Sequence, residues 1–327
     1  MTTLYQLELD QTNVNCGSSH VIQLESGAFI IIDGGYFTPG EEDRLYRFLA
    51  ERSDGMPVIT AWFFSHAHQD HIGNFIQFVK KYKPRVRIQR LLYSFQPIDL
   101  SNATGDWKSS DPATVNAFYQ TLESHCADIE RVTPRTGDVL SFDELTLEVL
   151  YTYEDLYPEP ASFNSYSTVI MTTVGQHKIL WLGDTSATSA DVLLRHPENL
   201  TCDVVQVAHH GIDNHERLCQ LYAATRADVA LWPTPDYAMV ARRDQAVNHF
   251  LLYDTGIQEH LVSGYGTITM PLPYRPGMAA KSPKALTFTR QPDSSVTFAN
   301  GLVPDSAFRY LTPDKVDPVI DEKTSKK

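Results

Sequence analysis

Three segments of this chain end in side chains able to do chemistry. The first is Trp62-Phe63-Phe64-Ser65-His66-Ala67-His68-Gln69-Asp70-His71, where an apolar stretch runs into His66, His68, Asp70 and His71, four metal-competent groups within six positions. Imidazole and carboxylate donors without thiolate suit zinc first, with manganese or iron as alternatives. The second is Ile179-Leu180-Trp181-Leu182-Gly183-Asp184-Thr185. Taken alone, Asp184 reads equally well as the N-cap of the next helix; beside a metal site its carboxylate can bridge two ions. The third is Asp203-Val204-Val205-Gln206-Val207-Ala208-His209-His210-Gly211, another apolar stretch ending in donors. All three place them at the C-terminal end of a predicted buried strand, where open α/β sheets build their sites. Cys202 lies seven residues before His209, about 23 Å away at strand rise, and is excluded as a ligand.

Positioning these groups needs a regular scaffold. Short apolar, β-branched and aromatic runs predict strands at Tyr5–Leu9, Val21–Leu24, Phe29–Ile32, Val58–Phe64, Val86–Tyr93, Leu145–Tyr151, Thr168–Val174, Lys178–Leu182, Val204–Ala208 and Val229–Trp232. Helical periodicity covers Glu41–Glu51, Ile72–Tyr82, Ala113–Cys126, Ala187–Arg195, Glu216–Ala224 and Arg243–Leu252. The chain is therefore α/β, with its main domain at residues 1–272. Residues 273–327 read as a C-terminal extension carrying a hairpin, Leu286–Thr289 with Val296–Ala299, and a frayed tail at Pro313–Lys327.

Composition narrows the function classes. Of 327 residues 42% are hydrophobic and 20% charged, which excludes a disordered chain. Lys plus Arg number 27 against 40 Asp plus Glu, and the net charge of −13 opposes general nucleic-acid binding. The start lacks a basic, apolar leader and no run reaches the length of a membrane span, so a cytoplasmic protein acting on a small-molecule substrate is expected. Cys16, Cys126, Cys202 and Cys219 form no C-x-x-C pair and read as reduced core thiols.

His66-x-His68-x-Asp70-His71, then Gly183-Asp184, then His209-His210-Gly211 resembles the metallo-β-lactamase superfamily of metal-dependent hydrolases. Ile30-Ile31-Ile32-Asp33-Gly34-Gly35 matches the element that packs behind the metal loop in that family, with Asp33 supporting a ligand or simply occupying a turn. The resemblance, over about residues 3–270, implies a four-layer αββα sandwich with two divalent metal ions at one edge of the paired sheets. It implies that His66 and His68 bind the first metal, Asp70 and His71 the second, and Asp184 both. One of His209 and His210 completes the second site; His209, directly off the strand, is favoured.

The commoner form of the family supplies a further metal-binding histidine between the first motif and the bridging aspartate. Only His125, in a predicted helix, and His177, in a short turn, fall in that interval. In its place stands Asn164-Ser165-Tyr166-Ser167 before an apolar strand, a pattern that resembles the subgroup holding the hydrolase domain of ComEC DNA-uptake proteins and the bacterial phosphorylcholine esterases. That implies phosphoester chemistry, and leaves the first metal with three protein ligands.

Two divalent ions about 3.5–4 Å apart lower the pKa of a bridging water to near neutrality, giving hydroxide as nucleophile. Asp184 would hold the ions, and Asp70, His209 or His210 would protonate the leaving group. Small phosphodiesters are the expected substrates, with glyoxalase-type thioesters or lactones as the alternative. A β-lactamase is disfavoured, because the familiar zinc β-lactamases lack the Gly-Asp bridge. The 138 positions from His71 to His209 leave little room for the inserted domain of long-chain ribonucleases. A non-hydrolytic metal or redox protein of the flavodiiron type normally carries a carboxylate where His68 stands. The aromatic loops Ser94–Pro112 and Thr152–Ser167, with Trp107, Tyr157, Phe163 and Tyr166, read either as lids or as core packing.

Overall fold

Burial along the strands separates two kinds of environment. In β9 (Leu145–Tyr151), Leu145, Leu147, Val149 and Tyr151 are buried while Thr146 and Glu148 are exposed, the alternation of a sheet with one covered face. In β3 (Phe29–Ile32) and β13 (Val229–Trp232) every residue is buried, as in a sheet covered on both faces. The computed structural model describes residues 1–9, 17–97, 111–156, 159, 161–235, 242, 244–281, 286–290 and 296–298.

The first sheet contains β1 (Thr3–Gln6), β2 (His20–Gln23), β3, β4 (Val58–Phe64), β5 (Arg87–Ile88), β6 (Arg90–Tyr93), β7 (Glu130–Val132), β15 (Ile268–Pro271) and β16 (Ala280–Lys281). Its order is β16-β15-β1-β2-β3-β4-β6-β7, with β5 also on β4. The second contains β8 (Val139–Phe142), β9, β10 (Val169–Val174), β11 (His177–Trp181), β12 (Val204–Gln206), β13, β14 (Glu259–Val262), β17 (Leu286–Arg290) and β18 (Val296–Phe298), in the order β18-β17-β14-β13-β12-β11-β10-β9-β8. Helices α1 (Glu41–Ala50), α2 (Gln69–Tyr82) and α3 (Asp111–His125) belong with the first sheet. Helices α4 (Ala187–Leu193), α5 (Glu216–Thr225) and α6 (Ala246–His249) belong with the second.

Three apolar cores glue the four layers. Strand β4 shows how, because its side chains alternate: Ala61 and Phe63 join Ile30, Leu147, Trp181 and Leu231 between the sheets, whereas Trp62 and Phe64 join Phe75, Phe78 and Phe118 beneath the helices. Leu180, Val205, Leu218 and Leu251 build the third core. Each such side chain removed from water contributes about 1.5–3 kcal/mol. The Phe64–Phe75 and Trp62–Phe75 rings meet edge to face at 4.8 and 5.0 Å, fixing how α2 leaves the end of β4. The architecture is the αββα sandwich expected from sequence.

Differences from the sequence reading are local. The Val86–Tyr93 segment splits into β5 and β6 around Gln89, whose N–H bonds to Ile59 O. Helix α2 starts at Gln69 rather than Ile72, and the Arg243–Leu252 segment is a short α6 followed by a π-helical turn over Phe250–Asp254. β7 and β14 were not predicted because Glu130-Arg131 and Glu259-His260 break the apolar pattern, although all four residues of β14 are buried. β17 and β18 pair antiparallel, and β17 pairs with β14, so the predicted hairpin extends the second sheet. Pro313–Lys327 lies outside the described residues. Cys126 and Cys202 are buried free thiols and Cys219 is half-buried. No helix among the described residues is long and apolar enough to cross a membrane.

One polar network lies within the sandwich. His20 on β2 pairs with Gln6 on β1, its Nε2 3.2 Å from Gln6 Oε1, and Gln6 Nε2 donates to Leu261 O at 3.0 Å. Burial, with His71 and His210 nearby, lowers the His20 pKa from 6.5 to about 3. Between those values the unfolded chain takes up a proton that the native chain refuses. This stabilisation is therefore complete above pH about 6.5 and is lost progressively toward pH 3. Replacing His20 by Leu should shrink the loss of unfolding free energy between pH 7 and pH 4.5 by about 2 kcal/mol, measured by denaturant titration at both values. Equal losses in wild type and variant would contradict the assignment.

Candidate metal centre

The three donor segments converge at one end of the sandwich. β4 stops at Phe64 and the chain crosses Ser65-His66-Ala67-His68 before α2, with His68 in extended geometry at the helix N-cap. Asp70 and His71 thus sit in the first helical turn, where the helix dipole favours a carboxylate. β11 ends at Trp181, and Gly183 turns with φ 54; a Cβ there would lie 2.8 Å from Ser65 Cβ. Glycine is thereby required next to Asp184. β12 ends at Gln206, two residues before the predicted strand end. His209 and His210 then both take the left-handed conformation, with φ 47 and 53. Such strain costs on the order of 1–3 kcal/mol per residue and persists where a site demands it.

The donors gather in two groups that share one carboxylate. Asp70, His71, His210 and Asp184 form one; His66, His68 and Asp184 form the other. Asp184 divides its oxygens between them. Oδ1 faces His71 Nε2 at 3.1 Å and His210 Nε2 at 3.5 Å, while Oδ2 faces His66 Nε2 at 3.6 Å. Asp70 Oδ2 is 3.1 Å from His210 Nε2. His66 Nε2 and His68 Nδ1 stand 2.9 Å apart, and His71 Nε2 and His210 Nε2 3.3 Å apart. Imidazole nitrogens pointing at one another around a buried carboxylate, whose Oδ1 accepts no hydrogen bond among the described residues, suit cations.

His209, the residue favoured from its place in the sequence, is not in the second group. The left-handed pair turns His210 inward, where Pro233 O accepts from its Nδ1 at 2.8 Å. His209 Nδ1 instead meets Asp213 Oδ2 at 3.1 Å, and its Nε2 stands 3.9 Å from Asp184 Oδ2. The strand ends before the pair, and the left-handed turn that follows gathers His210 rather than His209 with Asp70, His71 and Asp184.

Other residues hold these side chains in place. Asp33 Oδ2 lies 2.7 Å from His71 Nδ1, and the same carboxylate accepts from Ser65 N and Ser65 Oγ at 2.8 and 2.9 Å. That fixes the His71 ring with Nε2 toward Asp184. Ser167 Oγ accepts from Asp184 N at 3.0 Å. Sequence reasoning missed Gln206: its Oε1 accepts from Leu182 N and Gly183 N, and its Nε2 donates to Gly183 O and Val207 O. A polar residue on an otherwise apolar buried strand was the available signal. Phe163 and Tyr166 are buried; Phe163 stacks on His68 with centroids 5.1 Å apart, whereas the Tyr166 hydroxyl accepts from Ala161 N at 2.7 Å. Trp107 and Tyr157 lie outside the described residues.

Burial alone would raise the Asp184 carboxyl, but His71, His210, His209 and His66 outweigh it and hold the group well below the usual carboxylate range. Asp70 is likewise kept low against burial by His71 and His210. His71 is pushed well above the ordinary histidine value, because Asp184, Asp33 and Asp70 overcome its burial. His66 falls well below it, through burial and the neighbouring His71. The cluster is an anionic pocket lined with imidazoles, electrostatically ready for divalent cations.

Comparison with known proteins gives the family of the chain. The chain is 28% identical over 157 residues to ComE operon protein 3 of Bacillus subtilis (strain 168), covering 48% of this chain and 18% of that protein, in keeping with the ComEC-like subgroup. It thus spans less than a fifth of that relative. The CmlA beta-hydroxylase E377D mutant superposes with a TM-score of 0.53 at 14% identity, over 83% of this chain and 54% of that one. The metallo-beta-lactamase fold protein YhfI from Bacillus subtilis gives 0.44 at 12%, over 76% and 93%. The model of the metallo-beta-lactamase superfamily matches residues 14–219, more than half of the sequence. The chain belongs to the metallo-beta-lactamase superfamily.

Proposed function

We propose that this protein is a metal-dependent hydrolase of small phosphoesters, phosphodiesters first. The observation that carries the reading is the division of Asp184 between two ligand groups. In it, His66, His68 and Asp184 would hold one divalent ion, and Asp70, His71, His210 and Asp184 would hold the other. Zinc suits these donors best, with manganese or iron as alternatives. Two bound ions would supply Lewis acidity and activate water near neutral pH. Asp33 orients His71, and Ser167 and Gln206 fix the Asp184 turn. Asp70 and His210 would be taken up as ligands, so of the groups considered for proton transfer to the leaving oxygen His209 would be the one without a ligand role; Asp213 holds its ring. Phosphoester chemistry is what the Asn164-to-Ser167 element implies through its resemblance to the ComEC-like subgroup, with which the similarity to ComE operon protein 3 is in keeping. The net charge of −13 supports a small molecule over a nucleic acid.

Assay of bis-p-nitrophenyl phosphate, p-nitrophenyl phosphorylcholine, a glutathione thioester and nitrocefin tests the substrate class. Phosphodiester turnover should vanish on chelation and return with zinc or manganese, with nitrocefin untouched. Thioester turnover with silent phosphodiesters would overturn the class. Asp184→Asn should lower kcat/KM by about two orders of magnitude or more and reduce bound metal, since it removes the shared charge. Activity within a few fold of wild type would refute the bridge. Asp33→Asn should weaken metal binding by about 10–100-fold in a competition titration, leaving the fold intact by circular dichroism. Unchanged affinity would show that His71 needs no such support.

A further inference from the structure

The two ligand groups are unequal. The second has four donors, whereas the first has three among the described His, Cys, Asp and Glu residues. Neither histidine of the intervening chain can complete it. His125 ends α3, and His177 begins β11, at the opposite end of the strand from the Asp184 turn, next to Asp203.

The turn Asn164–Tyr166 lies beside this group, because the residues flanking it are tied to the segments that carry the donors. Phe163 stacks on His68, Thr168 N donates to Ser65 O at 2.8 Å, and Ser167 Oγ accepts from Asp184 N. Asn164 Nδ2 lies 3.2 Å from His209 Nε2, which itself stands on the Oδ2 side of Asp184, the side facing His66. Asn164 Oδ1 is shut off from solvent and has no hydrogen-bond partner among the described residues. A buried acceptor without a donor is costly and calls for a cation or a donor not yet counted. The nearby hydroxyls are already engaged: Ser165 Oγ with Ser186 Oγ and Ser162 Oγ, and Ser167 Oγ with Asp184 N.

We propose that Asn164 Oδ1 is the fourth protein ligand of the first metal ion, standing where the commoner ligand set has a histidine. The proposal rests on the two-metal reading above. A neutral amide oxygen is a harder and weaker donor than imidazole, so the first site binds its ion less tightly than the second and accepts manganese more readily.

Titration of metal-free protein with cobalt(II), followed by visible absorption and calorimetry, tests this without substrate. Wild type should bind two ions, one tightly and one more weakly. Asn164→Ala and Asn164→Leu should weaken the second step by about tenfold or more and leave the tight step within about twofold, which also shows that the variants are folded. Asn164→His should tighten the weak step and shift its absorption bands, as nitrogen replaces oxygen. Wild-type affinities and spectra in the Ala and Leu variants would overturn the proposal. Loss of both steps in all three variants would also overturn it, making Asn164 a general support. A wild type that binds fewer than two ions would bring down the two-metal reading itself, before any substitution is considered.

Discussion

The Asp184 carboxylate is buried, lies among four imidazoles, and turns each oxygen toward a different ligand group. Much of the local backbone serves that placement. Gly183 must lack a side chain for the turn to pass Ser65, Ser167 receives the Asp184 amide, and Gln206 clamps Leu182 and Gly183 from the neighbouring strand. Because Gln206 also donates to Val207 O, the turn carrying Asp184 and the segment leading to His210 are tied by one side chain. A misplacement of one donor is thereby transmitted to the other.

The same geometry carries an electrostatic tension. Carboxylates and imidazoles shut away from water are expensive unless their charges are compensated. Without cations, His71 carries that compensation, its pKa raised by three carboxylates while His66 beside it is held low. Divalent ions would take over the role and release His71 as a neutral donor. The aromatic packing of Trp62, Phe64 and Phe75 provides the rigid backing, since it fixes β4 against α2 on either side of the short segment holding His66 and His68.

Much of this was legible in the sequence because strand-end motifs are local. His66, His68, Asp70, His71 and Asp184 follow uninterrupted apolar runs, and the alternation of Leu145, Leu147 and Val149 gives a sheet face directly. What was not legible depends on conformation or on distant partners. The left-handed pair at His209 and His210 decides which imidazole turns inward, and no residue type there signals it, since neither is glycine. β14 escaped notice because Glu259 and His260 are buried polar residues, explained only by tertiary contacts. Gln206 reads as an interruption of an apolar strand until the neighbouring turn is seen to need its hydrogen bonds.

Whether the one carboxylate of Asp184 holds two cations is read straight from anomalous diffraction by crystals of the metal-loaded protein. Two anomalous peaks about 3.5–4 Å apart are expected, one beside each oxygen of Asp184, with Asp70, His71 and His210 around one and His66 and His68 around the other. A single peak, or two peaks that leave Asp184 bound to only one ion, would contradict the bridging role.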